Sequence, residues 1–196
     1  MEFNKKLIYK IIDNKIDKIE LEHLNERELN ILYHALNLNT SLKKLELSWN
    51  KIEDITLLCK SLENNYCLEI LNLFFNKIED ITPLKFLSNS CLQELWLSFN
   101  KIEDITPLQY LENKHCLKKL YLSCNEIKDI TPLNFLSNSC LEYLYLSNNR
   151  IKDIIHLKIL SNSCLKKINL SDNQLNDQDK QKIIKITKLK QIDLTI

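Results

Sequence analysis

Apolar residues return along this chain in a fixed cadence rather than in long runs. The string LxxLxLxxNxI, or a close variant, opens at Leu42, Leu68, Leu92, Leu117, Leu141 and Leu165. The asparagine of each copy stands at Asn50, Asn76, Asn100, Asn125, Asn149 and Asn173, so successive copies lie 26, 24, 25, 24 and 24 residues apart. Two weaker copies flank the set. Ile16 to Leu24 carries Leu24 in place of the asparagine, and Leu189 to Leu194 closes the chain. A fixed period of this length predicts a stack of one supersecondary unit, none of which buries its apolar face alone.

Within a unit, the LxL alternation predicts a short strand with both leucines facing inward. Stacked units place these strands in parallel. The asparagine follows at the turn, where its amide can serve buried backbone groups of its own copy and of the neighbouring copy. The return path reads EDITPLxFLSNSC. Thr82, Thr106 and Thr131 are expected N-caps, with Pro83, Pro107 and Pro132 at the first helical position. Thr56 is expected to cap a version without proline, and Ile155 breaks the pattern. A short helix or 3-10 turn follows on the convex side.

The ends read differently. Phe3, Leu7, Ile8, Ile11 and Ile12 share one helical face, so residues 1–14 are expected to hold a capping helix, with 15–196 as one continuous repeat domain of about eight units. Asn25 and Glu28 form a capping box for a helix reaching about Leu38 through Leu29, Leu32 and Leu36. Residues 177–187 read as a basic amphipathic helix leading into the last strand. That strand, Leu189 to Leu194, presents an edge open to edge-to-edge self-association.

The motifs LNLFFNKIEDITPL and LWLSFNKIEDITPL resemble the internalin and SDS22-like class of leucine-rich repeats. The resemblance covers the chain from about Ile16 onward. It implies an α/β leucine-rich-repeat solenoid: a curved right-handed superhelix with parallel strands on the concave face and short helices or 3-10 turns on the convex face. It further implies that the concave face binds a partner protein. SDS22-like relatives are phosphatase regulators, which makes that role an alternative to a general scaffold or adaptor.

Composition narrows the function classes. The chain has no glycine, so no glycine-rich phosphate loop and no GxSxG elbow can form. Net charge is +1, which gives no global argument for nucleic acid or membrane. Lys180, Lys182, Lys185, Lys188 and Lys190 make a local basic end, and an anionic ligand or nucleic acid there is the other alternative. The N-terminus lacks the pattern of a signal peptide and no apolar run is long enough to span a bilayer, so an intracellular, cytoplasmic protein is expected. Seven cysteines do not suit a secreted disulfide framework. The column Cys67, Cys91, Cys116, Cys140 and Cys164 reads as a buried ladder of small apolar groups. The column Asp54, Asp80, Asp104, Asp129 and Asp153 reads as turn-forming rather than calcium-binding. His23, His34, His115 and His156 fall at different repeat positions and compose no triad. No enzyme, cofactor or metal site is expected.

Partner binding is the remaining class. Residues between the inward leucines line the other face of the strands. There Trp96, Tyr121, Tyr143 and Tyr145 are neighbours, with Glu94 and Lys119 among them, and Phe74 continues the patch. Trp and Tyr are common binding hot spots, so these seven residues form the candidate partner site. Trp49, Phe75 and Phe99, nearer the turn, are expected to pack there.

Overall fold

The computed structural model describes residues 5–114, 116–154, 162 and 164–196. Phe3, His115, Ile155 and His156 lie outside the described residues. Eight three-residue strands form one parallel sheet in sequence order: β1 (Lys18–Glu20), β2 (Lys44–Glu46), β3 (Ile70–Asn72), β4 (Glu94–Trp96), β5 (Lys119–Tyr121), β6 (Tyr143–Tyr145), β7 (Lys167–Asn169) and β8 (Asp193–Thr195). Register places Ile19, Leu45, Leu71, Leu95, Leu120, Leu144 and Ile168 in one row, and all seven are buried. The second leucine of each LxL, from Leu47 to Leu170, makes a parallel buried row. Strand residues on either side of the central row stay half-exposed, which is the alternation expected of a sheet covered on one face only.

The covered face carries the return segments. α3 (Thr56–Ser61) is α-helical, whereas Thr82–Leu87, Thr106–Lys114 and Thr131–Asn138 are 3-10 helices. Each stacks on the next, and α3 also meets α2 (Glu26–Leu36). α2 begins with the expected capping box: the Glu28 N–H donates to Asn25 Oδ1 at 3.0 Å and the Asn25 N–H to Glu28 Oε2 at 3.0 Å. α1 (Lys5–Ile12) packs on α2, with Ile11 fully buried and Leu7, Ile8 and Ile12 against the core.

Asparagines hold the turns in a ladder. The Asn100 amide donates to Leu73 O of the preceding repeat and to Leu97 O of its own, each at 3.0 Å, while its Oδ1 accepts from the Ile78 N–H at 3.0 Å. Asn76, Asn125, Asn149 and Asn173 repeat this arrangement. Asn50 joins it through Leu21 O and the Leu24 N–H. Each amide therefore satisfies buried backbone groups that the strands leave over.

Three sequence expectations change. The threonines are not caps. Ile81 and Ile130 hold the N-cap positions without a side-chain bond, and Thr82 and Thr131 are already the first 3-10 residues. Aspartate does the capping: the backbone N–H of Thr56, Thr82, Thr106 and Thr131 donates to Oδ1 of Asp54, Asp80, Asp104 and Asp129 at 2.7–2.8 Å. A carboxylate two residues upstream closes a tighter turn than a hydroxyl at the cap. The cysteine ladder is not buried: Cys67 and Cys140 are exposed, and Cys91, Cys116 and Cys164 are half-buried. The inward leucine beside each cysteine turns the thiol outward, because adjacent extended residues face opposite ways. Buried polar groups occupy the space instead. Asn39, Asn65, Ser90, Ser139 and Asn162 are buried just before the strands, where the Asn39 amide donates to Ile11 O at 2.7 Å and the Ser90 hydroxyl to Leu87 O at 2.8 Å.

The last strand is also shifted. α4 (Asp177–Lys190) runs through Leu189, and Gln191 ends it in the left-handed region at φ 57°. β8 therefore pairs Asp193 with Lys167 and Leu194 with Ile168, two residues later than the sequence alignment places them. Leu189 is an exposed helical residue and not the start of an edge strand.

Candidate functional site

The face of the sheet opposite the return segments presents two aromatic groups. The first stands on β4, β5 and β6. Register sets Trp96 beside Tyr121 and Tyr121 beside Tyr145. Their rings stack at 4.1 Å and 4.8 Å between centroids, the second pair almost parallel at 3°. Parallel strands about 4.8 Å apart impose this spacing on neighbouring side chains. Glu94 accepts from the Lys119 ammonium at 2.8 Å and from Trp96 Nε1 at 3.3 Å. The same ammonium lies 5.9 Å from the Tyr143 ring centroid, a cation–π contact. Six of the seven expected site residues are thus one connected, half-buried network. Its charges are tuned by each other: the Glu94 hydrogen bond raises the Lys119 pKa, and burial raises that of Tyr121.

Phe74 departs from this group. Its ring contacts go to Trp49, Phe75 and Phe99, at 6.4, 6.1 and 5.1 Å. These form the second aromatic group, along the turns that follow the strands. Trp49 stacks on Phe75 at 3.6 Å and Phe75 on Phe99 at 5.8 Å. The packing expected of these three occurs between their own rings, yet they remain 41%, 39% and 43% exposed. All three hold left-handed backbone, at φ 60°, 53° and 59°. The equivalent residues His23, Cys124, Asn148 and Asp172 do the same, at φ 57°, 56°, 53° and 56°. In other proteins glycine or asparagine takes such a position, because a Cβ there costs roughly 1–2 kcal/mol. This chain places Trp49, Phe75 and Phe99 on it in three successive repeats.

The charged residues outside the asparagine ladder make exposed rungs between repeats: Lys77–Glu53 at 2.9 Å, Lys101–Glu79 at 3.1 Å, Lys128–Glu103 at 2.5 Å and Arg150–Glu126 at 3.0 Å. In α4, Lys182, Lys185, Lys188 and Lys190 are solvated on the helix surface. Among the described residues, no group of three or more His, Cys, Asp and Glu is placed to hold a metal ion. No described helix is long and apolar enough to cross a membrane.

Missed by sequence reasoning were the left-handed column and the orphaned hydroxyl of Tyr33, which is buried without a hydrogen-bond partner among the described residues. A signal for the first existed: asparagine or aspartate at two of the column's positions, Asn148 and Asp172, is what a left-handed turn prefers.

Leucine-rich repeat models match residues 116–175, the two-copy form of the model matches 68–113 and 92–135, and a further leucine-rich repeat model matches 38–55. Among curated proteins no sequence matches. Among solved structures, internalin C2 of Listeria monocytogenes is similar, with a TM-score of 0.65 at 27% identity over 95% of this chain and 72% of its own. A second internalin of that organism, inlF, aligns with a TM-score of 0.45 at 20% identity over 96% of this chain and 82% of its own. The architecture is that of a protein-interaction scaffold, and with its six asparagine-centred copies and eight-stranded sheet the chain belongs to the leucine-rich repeat family, in its internalin-like class.

Proposed function

We propose that this chain captures a partner protein on the open face of its sheet, with Trp96, Tyr121, Tyr143 and Tyr145 as anchors and Glu94 and Lys119 as orienting charges. The observation that carries the reading is the connected network itself. Three rings stacked across three strands give a rigid platform, which loses little side-chain entropy when a partner covers it. Aromatic residues of this kind dominate measured interface energies. The Glu94–Lys119 pair fixes polarity across the platform, so a partner presenting charges in the matching order docks in one orientation.

The test uses the immobilised full chain against lysate of its native cell, wild type beside Trp96→Ala/Tyr145→Ala. The double variant is expected to keep its fold, checked by circular dichroism, and to lose the bound protein. Retention of the same protein by a folded double variant removes the open-face reading.

A further inference from the structure

Cys67, Cys91, Cys116, Cys140 and Cys164 each stand three residues before a strand, at the entries to β3, β4, β5, β6 and β7. Two observations set this column apart. The first is its spacing. Two residues past the cysteines, the backbone N–H groups of Gln93, Lys118, Glu142 and Lys166 donate to the carbonyls of Glu69, Gln93, Lys118 and Glu142 at 2.7–2.8 Å. These bonds hold successive turns at the separation of paired strands, about 4.8 Å. At the two ends of the column, the Cys67 and Cys164 N–H groups donate to Oδ1 of Asn65 and Asn162 at 3.0 and 2.7 Å. The second observation is exposure. Cysteine outside disulfides is among the most often buried residue types, yet Cys67 and Cys140 are exposed and the other three are half-buried. Folding does not ask for a thiol at this place, because Ser41 fills it ahead of β2.

Spacing decides which chemistry suits the column. A disulfide needs Cβ atoms about 3.5–4.5 Å apart, closer than parallel strands about 4.8 Å apart bring side chains in register. Two thiolate bonds of about 2.3 Å, in line across one metal ion, span about 4.6 Å, and the strand spacing matches that. A donor set of two thiolates is too small for zinc, which takes four ligands. Among the described residues no group of three His, Cys, Asp or Glu converges to complete such a set. Copper(I) is the soft ion that thiolates select, and two sulfurs in line satisfy it.

We propose that neighbouring cysteines of this column bind copper(I), one ion bridging Cys67 and Cys91 and a second bridging Cys140 and Cys164. Each thiol releases its proton as its sulfur takes the ion, so each bridged pair carries one net negative charge and no electron is transferred. The column is separate from the open-face platform and the proposal stands without it.

The test titrates the full, reduced chain with copper(I) under anaerobic conditions against a chromophoric copper(I) chelator. Bound ion is read from the thiolate-to-copper absorption, and the sulfurs involved from their protection against iodoacetamide. Two double variants each keep three thiols of the column. Cys116→Ser/Cys140→Ser leaves Cys67 beside Cys91, whereas Cys91→Ser/Cys140→Ser leaves no two neighbours. Serine already stands at this place in an earlier repeat, and circular dichroism checks that both variants fold. Wild type is expected to hold two ions and to protect Cys67, Cys91, Cys140 and Cys164. The first variant should hold one ion, on Cys67 and Cys91. The second should bind at least about 100-fold more weakly, because the second sulfur no longer acts at high effective concentration. Zinc offered in place of copper is expected to leave all five thiols open to iodoacetamide. Equal affinity of the two folded variants, failure of wild type to compete with the chelator, or equal protection by zinc overturns the proposal.

Discussion

Trp96 and Trp49 sit two repeats apart in the same fold, and their backbones explain why they differ. Trp96 belongs to β4, where extended backbone suits an aromatic residue and the neighbouring strand supplies Tyr121 to cover it. Its partners are dictated by register, and stability alone would favour them. Trp49 holds φ 60°, a conformation that works against a bulky side chain, and it remains two-fifths exposed. Stability does not ask for an aromatic residue there, because Asn148 and Asp172 fill the same turn in later repeats. Stacking on a sheet can be structural or functional, whereas a strained and exposed ring is poorly explained by folding.

The largest effect should come from the ladder that both groups depend on. Asn100→Ala leaves Leu73 O, Leu97 O and the Ile78 N–H without their bonds. We expect a loss on the order of 3 kcal/mol in urea unfolding, with faster hydrogen exchange at Ile78. Next comes Trp96→Ala/Tyr145→Ala, expected to reduce partner affinity about 100-fold and stability by about 1–2 kcal/mol through the lost ring pairs. Trp49→Ala in the same assay should leave open-face capture unchanged, which separates the two groups.

Smaller effects sharpen the strain argument. Cys124→Asn substitutes a residue that tolerates left-handed backbone, and should raise the unfolding free energy by up to about 1 kcal/mol. Phe99→Asn gains the same relief but loses ring contacts with Phe74 and Phe75, so it should be near neutral. The difference between the two variants measures the stacking.

The smallest effect is electrostatic. Hydrogen bonds from Lys77, Lys128 and Lys166 hold the carboxyls of Glu53, Glu103 and Glu142 below their ordinary value of 4.5. A depressed folded-state pKa contributes stability above the ordinary value and loses it as pH falls through the folded one. The contribution of these three carboxyls should therefore decline as pH falls below about 4.5, and the decline should shrink in 1 M salt because these rungs are solvated.

The stack, the parallel sheet, the asparagine ladder and the α2 capping box were legible because each rests on residue spacing or on a local motif. The grouping of six of the seven expected site residues was legible for the same reason: in-register strands turn sequence columns into neighbours. The departure of Phe74 was not, because its seventh position lies beyond the end of β3, where its ring meets Trp49, Phe75 and Phe99. The outward cysteines were not legible, because small size does not decide burial and the inward leucines beside them set the direction. The shift at β8 was hidden because Leu189, apolar and in the right place for a repeat, belongs to α4, which the left-handed Gln191 ends two residues later.

Hydrogen exchange on the protein bound to its captured partner reads the docking face itself. New protection is expected at residues 94–98, 119–123 and 143–147, on the three strands that carry the stacked rings. Protection confined to the return segments between 82 and 138, with those strands unchanged, would contradict it.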